Sequence, residues 1–487
     1  MPYNHGISVL ENPTSIEQPL ESFSAVQVVF GTAPVNLVSN TESIVNKPVL
    51  LRTLEQAKEK FGYSKDFKKF TLCEAMYTSF ELFKVAPVVF VNILDPKIHK
   101  KTVPDSIVAI TNRIAVIQEE GILLDKVVVK DSAGATTHVK GTDYIAAFND
   151  AGHVVITILT GGAITPGTTS VNVAYEQLDS SLVTPAEIIG GYDASTNSFS
   201  GLELIKTIYP SLNVVPNILL APGYTHLPEV AAILVAKSYK INGSFNATNV
   251  LDLVGKTKEE ALVFKEDNYY TDKSSMTCWP KPKIKGKILN YSTLVAAAYA
   301  RRNAEDEGIS YRSASNTKIA ISGMVNDEGQ EVFLDQVEAN VLNAKGIVTA
   351  INMNGWRIWG NNTAAFDADL PLIADPKDRF IAVRRMFDWW GNSFVQNFFD
   401  SLDGPISYRL IESIVDDENV RSNGYQARGV IAGAKIEFRQ ADNPLNDILS
   451  GNIKFIQKAA FWTPLEQIEN VLEFDPSILA ATLAGGE

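Results

Sequence analysis

One stretch of this chain constrains the rest. From Ile107 to Leu178, Thr, Val and Ile recur, and the turn signals Ser132-Ala-Gly134, Asp150-Ala-Gly152 and Gly161-Gly162 punctuate short runs. No window in it holds a convincing helix. On either side, short apolar strands alternate with helical stripes, the rhythm of a doubly wound sheet. Such a chain reads as a multidomain α/β protein carrying an inserted all-β module. Its 487 residues agree with that, at about 150 residues per domain.

Residues 1–22 contain Pro2, Pro13 and Pro19 and no helical stripe, which suggests an extended arm. Val26–Phe30 and Val88–Leu94 are apolar runs of strand type. Between them, Thr53-Leu-Glu-Gln56 and Thr71-Leu-Cys-Glu74 have capping-box spacing, in which a hydroxyl and a carboxylate or amide satisfy a helix's opening donors. Leu72, Met76, Phe80 and Phe83 then follow at helical spacing.

Helical signals resume at Thr184-Pro-Ala-Glu187, with Pro185 at the first helical position. Strands are expected at Asn217–Leu220 and Thr248–Val254. Helices are expected from Pro228 to about Tyr239, after Thr257-Lys-Glu-Glu260, over Ser292–Glu307 and over Leu334–Ala344. In the last segment a long helix from Asp375-Pro376 to about Asp400 precedes one over Ser407–Asn419. Strand-like runs follow at Ile431–Arg439, Asn452–Trp462 and Leu465–Phe474, with a short helical signal at Pro444–Ser450. In the final run Ile468, Asn470, Leu472 and Phe474 alternate with Glu469, Val471 and Glu473, the pattern of a half-exposed strand.

Charge is uneven. The chain carries a net −13, of which −5 falls in residues 105–181 and −7 in residues 351–487. That balance disfavours a generally basic nucleic-acid coat. Cys73 and Cys278 are the only cysteines and lie far apart, so no disulfide framework is expected. No apolar run is long enough to cross a bilayer, and no basic region precedes a hydrophobic run at the start, so neither a membrane span nor a signal peptide is expected.

The search for chemistry finds little. None of His5, His99, His138, His153 and His226 has metal-ligand spacing. Asp367-Ala-Asp369 and Asp416-Asp-Glu418 lack the pattern of a calcium loop and read as solvated loop charge. Gly255-Lys256-Thr257 resembles the tail of a phosphate-cradling loop, but Val250 stands where that motif needs glycine. His226 has no serine or acid partner evident in sequence, though a triad assembled in space stays open. The pairs Trp356/Trp359 and Trp389-Trp390 read as core packing.

Several short motifs, in order and spacing, resemble the sheath proteins of contractile phage tails and related injection machines along nearly the whole chain. They are Tyr3-Asn-His-Gly-Ile-Ser-Val-Leu-Glu11, Asn46-Lys-Pro-Val-Leu50, Ile188-Ile-Gly-Gly191, Leu219-Leu-Ala-Pro-Gly-Tyr224, Asn354-Gly-Trp-Arg-Ile-Trp-Gly360, Asp378-Arg-Phe-Ile-Ala-Val-Arg-Arg385, Gly451-Asn-Ile-Lys-Phe455 and Trp462-Thr-Pro-Leu-Glu466. The resemblance implies a structural subunit, not an enzyme, without cofactor or metal. It would polymerise in stacked rings around a tail tube in a metastable extended state, and would contract to drive the tube through a cell envelope.

Implied partners are further copies, the tail tube protein, and baseplate and terminator proteins, with no direct nucleic acid and no membrane insertion. The implied location is the virion tail, assembled in the host bacterial cytoplasm. The resemblance divides the chain into an arm (1–22), the first part of an inner α/β domain (23–104), the β-rich outer module (105–181), a central α/β domain (182–350), a tube-facing C-terminal inner domain (351–466) and a C-terminal arm (467–487). The first and last segments would together form one discontinuous inner domain. Residues Gly6, Ile7, Ser8, Val9 and Leu10, with Ile468, Asn470, Leu472 and Phe474, are the expected strands exchanged between subunits. Asp442, Leu445 and Asp447 are the expected tube contact. The alternative is a hydrolase with a subtilisin-like α/β domain using His226.

Overall fold

Val88–Asn92 shows why the centre of this molecule is a sheet: five residues, four of them β-branched or aromatic, none reaching solvent. The computed structural model describes residues 20–21, 24–39, 44–370 and 375–484. In chain order, the first segment contributes β1 (Gln27–Gly31), β2 (Val49–Leu51), α1 (Leu54–Phe61), α2 (Thr71–Met76) and β3 (Val88–Asn92). The inserted module follows as β4 (Lys100–Thr111), β5 (Ile114–Ile117), β6 (Val128–Lys130), β7 (Tyr144–Phe148), β8 (Val154–Ile158) and β9 (Ser170–Leu178).

The chain returns through α3 (Pro185–Ile189), β10 (Ile218–Leu220), α4 (Pro228–Ser238), β11 (Thr248–Asp252), α5 (Lys258–Asp267) and β12 (Ser275–Cys278). Next come α6 (Tyr291–Glu305), α7 (Gln336–Ala344), β13 (Ile347–Asn352) and β14 (Trp356–Trp359). The last segment holds α8 (Ile381–Phe398), α9 (Tyr408–Ala427), β15 (Gly433–Phe438), α10 (Leu445–Leu449), β16 (Phe455–Ala460) and α11 (Pro476–Ala484).

Eight strands form the main sheet in the order β14-β13-β12-β11-β10-β1-β3-β2. The six inner strands run parallel, and each edge strand is antiparallel to its neighbour. Strands of residues 23–104 and of 182–350 therefore share one sheet and one core, with β1 bonded directly to β10. This corrects the expectation that residues 23–104 would fold as one domain with the last segment. Alternation by itself cannot say which strands are neighbours, since β1 and β10 lie almost 190 residues apart and pair only in three dimensions.

The inserted module is a separate six-stranded sheet in the order β6-β9-β4-β5-β8-β7, all pairings antiparallel. Alternate residues such as Val154, Ile156 and Ile158 turn inward to their own small core. It begins with β4 at Lys100, five residues before the expected boundary. At its stem the buried His99 ring sits 2.8 Å from Glu187. Glu187 is the N3 residue of a capping box that opens α3, where the sequence foretold a helix start with Pro185 at the first position. That helix ends at Gly190, whose φ of 68° is open to glycine, and a Cβ there would collide with the Ser200 carbonyl.

Three local expectations are corrected. Thr71-Leu-Cys-Glu74 is not a capping box: Thr71 is already helical, its hydroxyl accepts from the Thr32 amide, and Glu74 points into the core. The helix expected from Asp375 breaks at Phe380, which is extended, before α8 begins. Asp416-Asp-Glu418 is helical rather than loop, and Glu418 is fully buried.

Candidate functional site

An open parallel sheet offers its ligand crevice at the carboxyl ends of the strands, where the winding reverses. That point lies between β1 and β10, and both His226 and Lys256 are near it, following β10 and β11. The crevice is occupied by the chain's own carboxyl groups. Asp252, the last residue of β11, accepts from the Ser292 amide at 2.8 Å and from the Ser292 and Thr225 hydroxyls. Glu74 accepts from the Asn290 amide at 2.6 Å, the Asn290 side chain at 2.9 Å and the Thr293 hydroxyl at 2.8 Å.

Both groups thus satisfy opening donors of α6, where the helix dipole favours negative charge. Burial pushes the Glu74 carboxyl up to about 8, and the nearby Asp252 charge adds to the rise. Burial likewise raises Asp252. The pair joins the first segment to the middle of the chain, and its oxygens are committed to donors of the chain itself.

The phosphate-loop fragment meets the same fate. The Gly255 amide donates to Asp327 at 2.8 Å, the Lys256 amide to Glu260 at 2.8 Å, and the Lys256 ammonium pairs with Glu328. Carboxylates of the chain stand where phosphate oxygens would have to be. His226 is half-buried, and burial first, then the Lys281 charge, lowers its imidazole below the ordinary value. Among the described residues no side-chain hydrogen bond joins that ring to a serine, and the Ser292 hydroxyl is committed to Asp252.

Among the described residues no group of three or more His, Cys, Asp or Glu could hold a metal ion. Asp367 and Asp369 are bridged by Lys345, at 2.7 Å to each. Among the described residues no helix is long and apolar enough to cross a membrane.

The unusual chemistry lies at the C-terminal end, and it is backbone chemistry. β15 and β16 form an isolated two-stranded sheet. On its outer side β15 is covered at Ile436, whose amide donates to the Asn419 side chain at 3.0 Å and whose carbonyl accepts from it at 3.1 Å. Ile436 is paired with Gln457, so that pair is of the non-hydrogen-bonded kind. The alternation then points the backbone groups of Phe455, Gln457 and Ala459 away from β15, toward an edge with no strand beside it among the described residues.

Helix α9 braces this hairpin. Glu418, fully buried, takes two bonds from Arg421 at 3.0 and 3.1 Å and one from Gln457 at 2.9 Å. The Arg421 guanidinium lies 4.1 Å from the Trp390 ring centre and within 6 Å of Trp389 and Tyr425. Sequence reasoning missed this joint. The Glu–Arg spacing of three on a helix, beside Trp389-Trp390, was the signal available.

Beyond Glu466 the chain leaves the body. Ile468, Leu472 and Phe474 are 79, 88 and 81% exposed, and Val471, expected on the opposite face, is 72% exposed. Asn470 is exposed with them. No strand forms over Leu465–Phe474 in the single chain, which corrects the half-exposed strand: alternation buries one face only where a surface covers it, and here none does. The segment continues into α11, which the sequence reading did not foresee, with Ile478 and Leu483 also exposed. Gly6, Ile7, Ser8, Val9 and Leu10 lie outside the described residues.

Asp442, Leu445 and Asp447 come together in the β15–β16 connection. Asp442 ends a single turn at Gln440–Asp442, and the other two sit on α10. Leu445 and Leu449 stand 65 and 75% exposed on that helix. The buried Asn443 pins the base of the connection through Arg439 and Lys454.

No family model matches the chain. It is 29% identical to the tail sheath protein of Burkholderia phage BcepMu over 99% of both chains. It is 26% identical to the tail sheath protein of Escherichia phage P2, over 59% of this chain and 69% of that one. Among solved structures it superposes on a chain of the six-fold symmetrised baseplate of the anti-feeding prophage with a TM-score of 0.60, at 12% identity and covering 98% of this chain and 100% of the other. For that particle's helical sheath in the contracted state the TM-score is 0.55, at 13% identity over 96 and 98%. These superpositions concern the fold.

Proposed function

We propose that this chain, which belongs to the contractile tail sheath family, is the structural subunit of a tail sheath that polymerises around a tube, is held extended, and contracts to drive the tube through a cell envelope. The observation that carries the reading is a likeness to a phage tail sheath protein running through 99% of both chains. The role is structural, and the reading needs neither a nucleotide nor a catalytic centre.

The open hairpin edge and the bare segment beyond it support the strand-exchange part of the reading. An unpaired strand edge together with a bare apolar segment is the arrangement that strand addition uses: main-chain bonds give strength, and alternate side chains fix register. The edge Phe455–Ala460 of one copy is the acceptor, and Ile468, Asn470, Leu472 and Phe474 of a neighbour supply an added strand. Gly6–Leu10 supply a second one. Partners beyond further copies are the tube, baseplate and terminator proteins, on a virion tail assembled in the host cytoplasm. The exposed α10 connection, with Asp442, Leu445 and Asp447, is the tube contact.

Energy for contraction comes from surface. If contraction buried ~300 Å² more apolar area per subunit, at about 25 cal/mol per Å² it would release roughly 7 kcal/mol before ordering costs are subtracted.

Deleting residues 467–487, or residues 1–20, leaves a folded monomer that no longer forms cylinders in electron micrographs; normal cylinders from both truncations would refute the exchange. Reversing Asp442 and Asp447 to lysine weakens co-assembly with tube while sheath-only polymers persist. An unchanged tube affinity in co-sedimentation would remove the contact assignment.

A further inference from the structure

Three of the motifs that carry the resemblance meet in space at a single groove of about 450 Å³. Gly360 and its neighbour Asn362 line one side, Arg379 the next, and Pro464, Leu465 and Glu466 close it. Arg379 is fixed before Glu466 is considered. Its guanidinium lies 4.5 Å from the ring centres of both Phe366 and Phe380, its Nε donates to Asn362 at 3.2 Å, and its carbonyl accepts from the Thr363 amide at 2.7 Å. Onto this held cation closes Glu466, at 2.6 Å from Nη2.

Upstream the chain is anchored by Phe461, packed on Phe387 and Trp390, and by the Trp462 indole, which donates to the Gly429 carbonyl at 3.0 Å. Downstream every residue from 467 to 483 is exposed. Among the described residues the Arg379–Glu466 pair is therefore the last polar tie between body and tail.

We propose that this pair is a clasp that fixes the origin of the C-terminal arm, so that it sets the reach of the arm and passes tension from it to the body; Arg379 acts as a positioning residue. The inference rests on the reading that residues beyond 467 pair with a neighbouring copy. From a fixed Glu466, the eight residues 467–474 span at most about 29 Å when extended. Only an acceptor edge inside that radius can be filled. If the clasp is lost, the anchor retreats to Trp462, the four residues 463–466 add about 13 Å of slack, and each must be reordered when the arm pairs.

Glu466→Gln and, separately, Arg379→Met in the full chain test this. Limited proteolysis of monomers cuts the parent only beyond 467, whereas both variants are also cut within 463–466, with melting midpoints unchanged. The protein concentration at which polymers first sediment rises about tenfold in the variants. Raising salt from low to high weakens parent assembly, as a partly exposed ion pair requires, and loses that effect in Glu466→Gln.

Parent-like cut sites, or a parent-like threshold with parent-like salt dependence, would overturn the clasp. The cut sites are read on monomers, so they decide the matter even if no form of the chain polymerises; failure of the parent to polymerise would count against the sheath reading instead.

Discussion

Val88–Asn92 and Ile468–Phe474 are both short runs rich in strand-forming residues, yet they end in opposite states. The first lies between a parallel strand, β1, and an antiparallel one, β2, with every residue buried. The second pairs with no strand and exposes both faces. Composition does not separate them; the presence of a partner within the same chain does. A strand is a relation between two backbones, so a segment without its second backbone stays bare however well its side chains suit a sheet.

The comparison divides the molecule by what each part needs to be complete. The main sheet and the inserted module each close around a core of their own. The C-terminal hairpin is intermediate, with one edge covered by Asn419 and the other open. The tail is wholly unsatisfied, and on the proposed function its completion comes from another subunit.

Three measurements sharpen or break that division, beginning with the buried body. The Glu74 carboxyl binds its proton more tightly folded than unfolded, with a folded value of about 8 against the ordinary carboxylate range. Its stabilising contribution is therefore whole below about pH 4.5 and lost as pH rises through about 8, of the order of 4 kcal/mol in all. Chemical denaturation across pH 5–9 in the parent and in Glu74→Gln checks this. The parent loses stability with rising pH and the variant loses much less; parallel curves would mean the carboxyl is not held as described.

At the hairpin joint, Arg421→Met removes the partner of a fully buried Glu418 and costs about 3 kcal/mol. Urea midpoints measure it, and a cost below about 1 kcal/mol would show the joint to be solvated. In the tail, Leu472→Asp changes monomer stability by no more than about 0.5 kcal/mol, because the residue is 88% exposed. The same change places a charge on the proposed exchange strand and suppresses polymers seen by sedimentation. A large loss of monomer stability would mean that the segment packs on its own subunit.

Much of the architecture was legible in the sequence. The helix-poor stretch between Ile107 and Leu178 identified the all-β insertion, and Thr184-Pro-Ala-Glu187 identified a helix start with Pro185 at its first position, because both are local signals. Thr71-Leu-Cys-Glu74 shows the limit of such signals: the same spacing occurs, but α2 is buried and its glutamate serves α6 instead. His226 and Lys256 were the residues that the sequence offered for chemistry, and it set a structural reading beside each. Only the fold revealed that carboxylates 70 residues away, such as Asp327, take the donors a ligand would need.

Periodicity and turn signals determined, from the sequence alone, the α/β class and the insertion, and the order and spacing of short motifs carried the resemblance to contractile tail sheath proteins. Tertiary structure decided what depends on distance through space: that β1 pairs with β10, that Arg379 meets Glu466, and that one hairpin edge is covered while the other is open. Periodicity reports how each residue relates to its near neighbours along the chain. Which distant backbone completes a sheet is settled by packing, where burial and unpaired hydrogen-bonding groups carry the energetic weight.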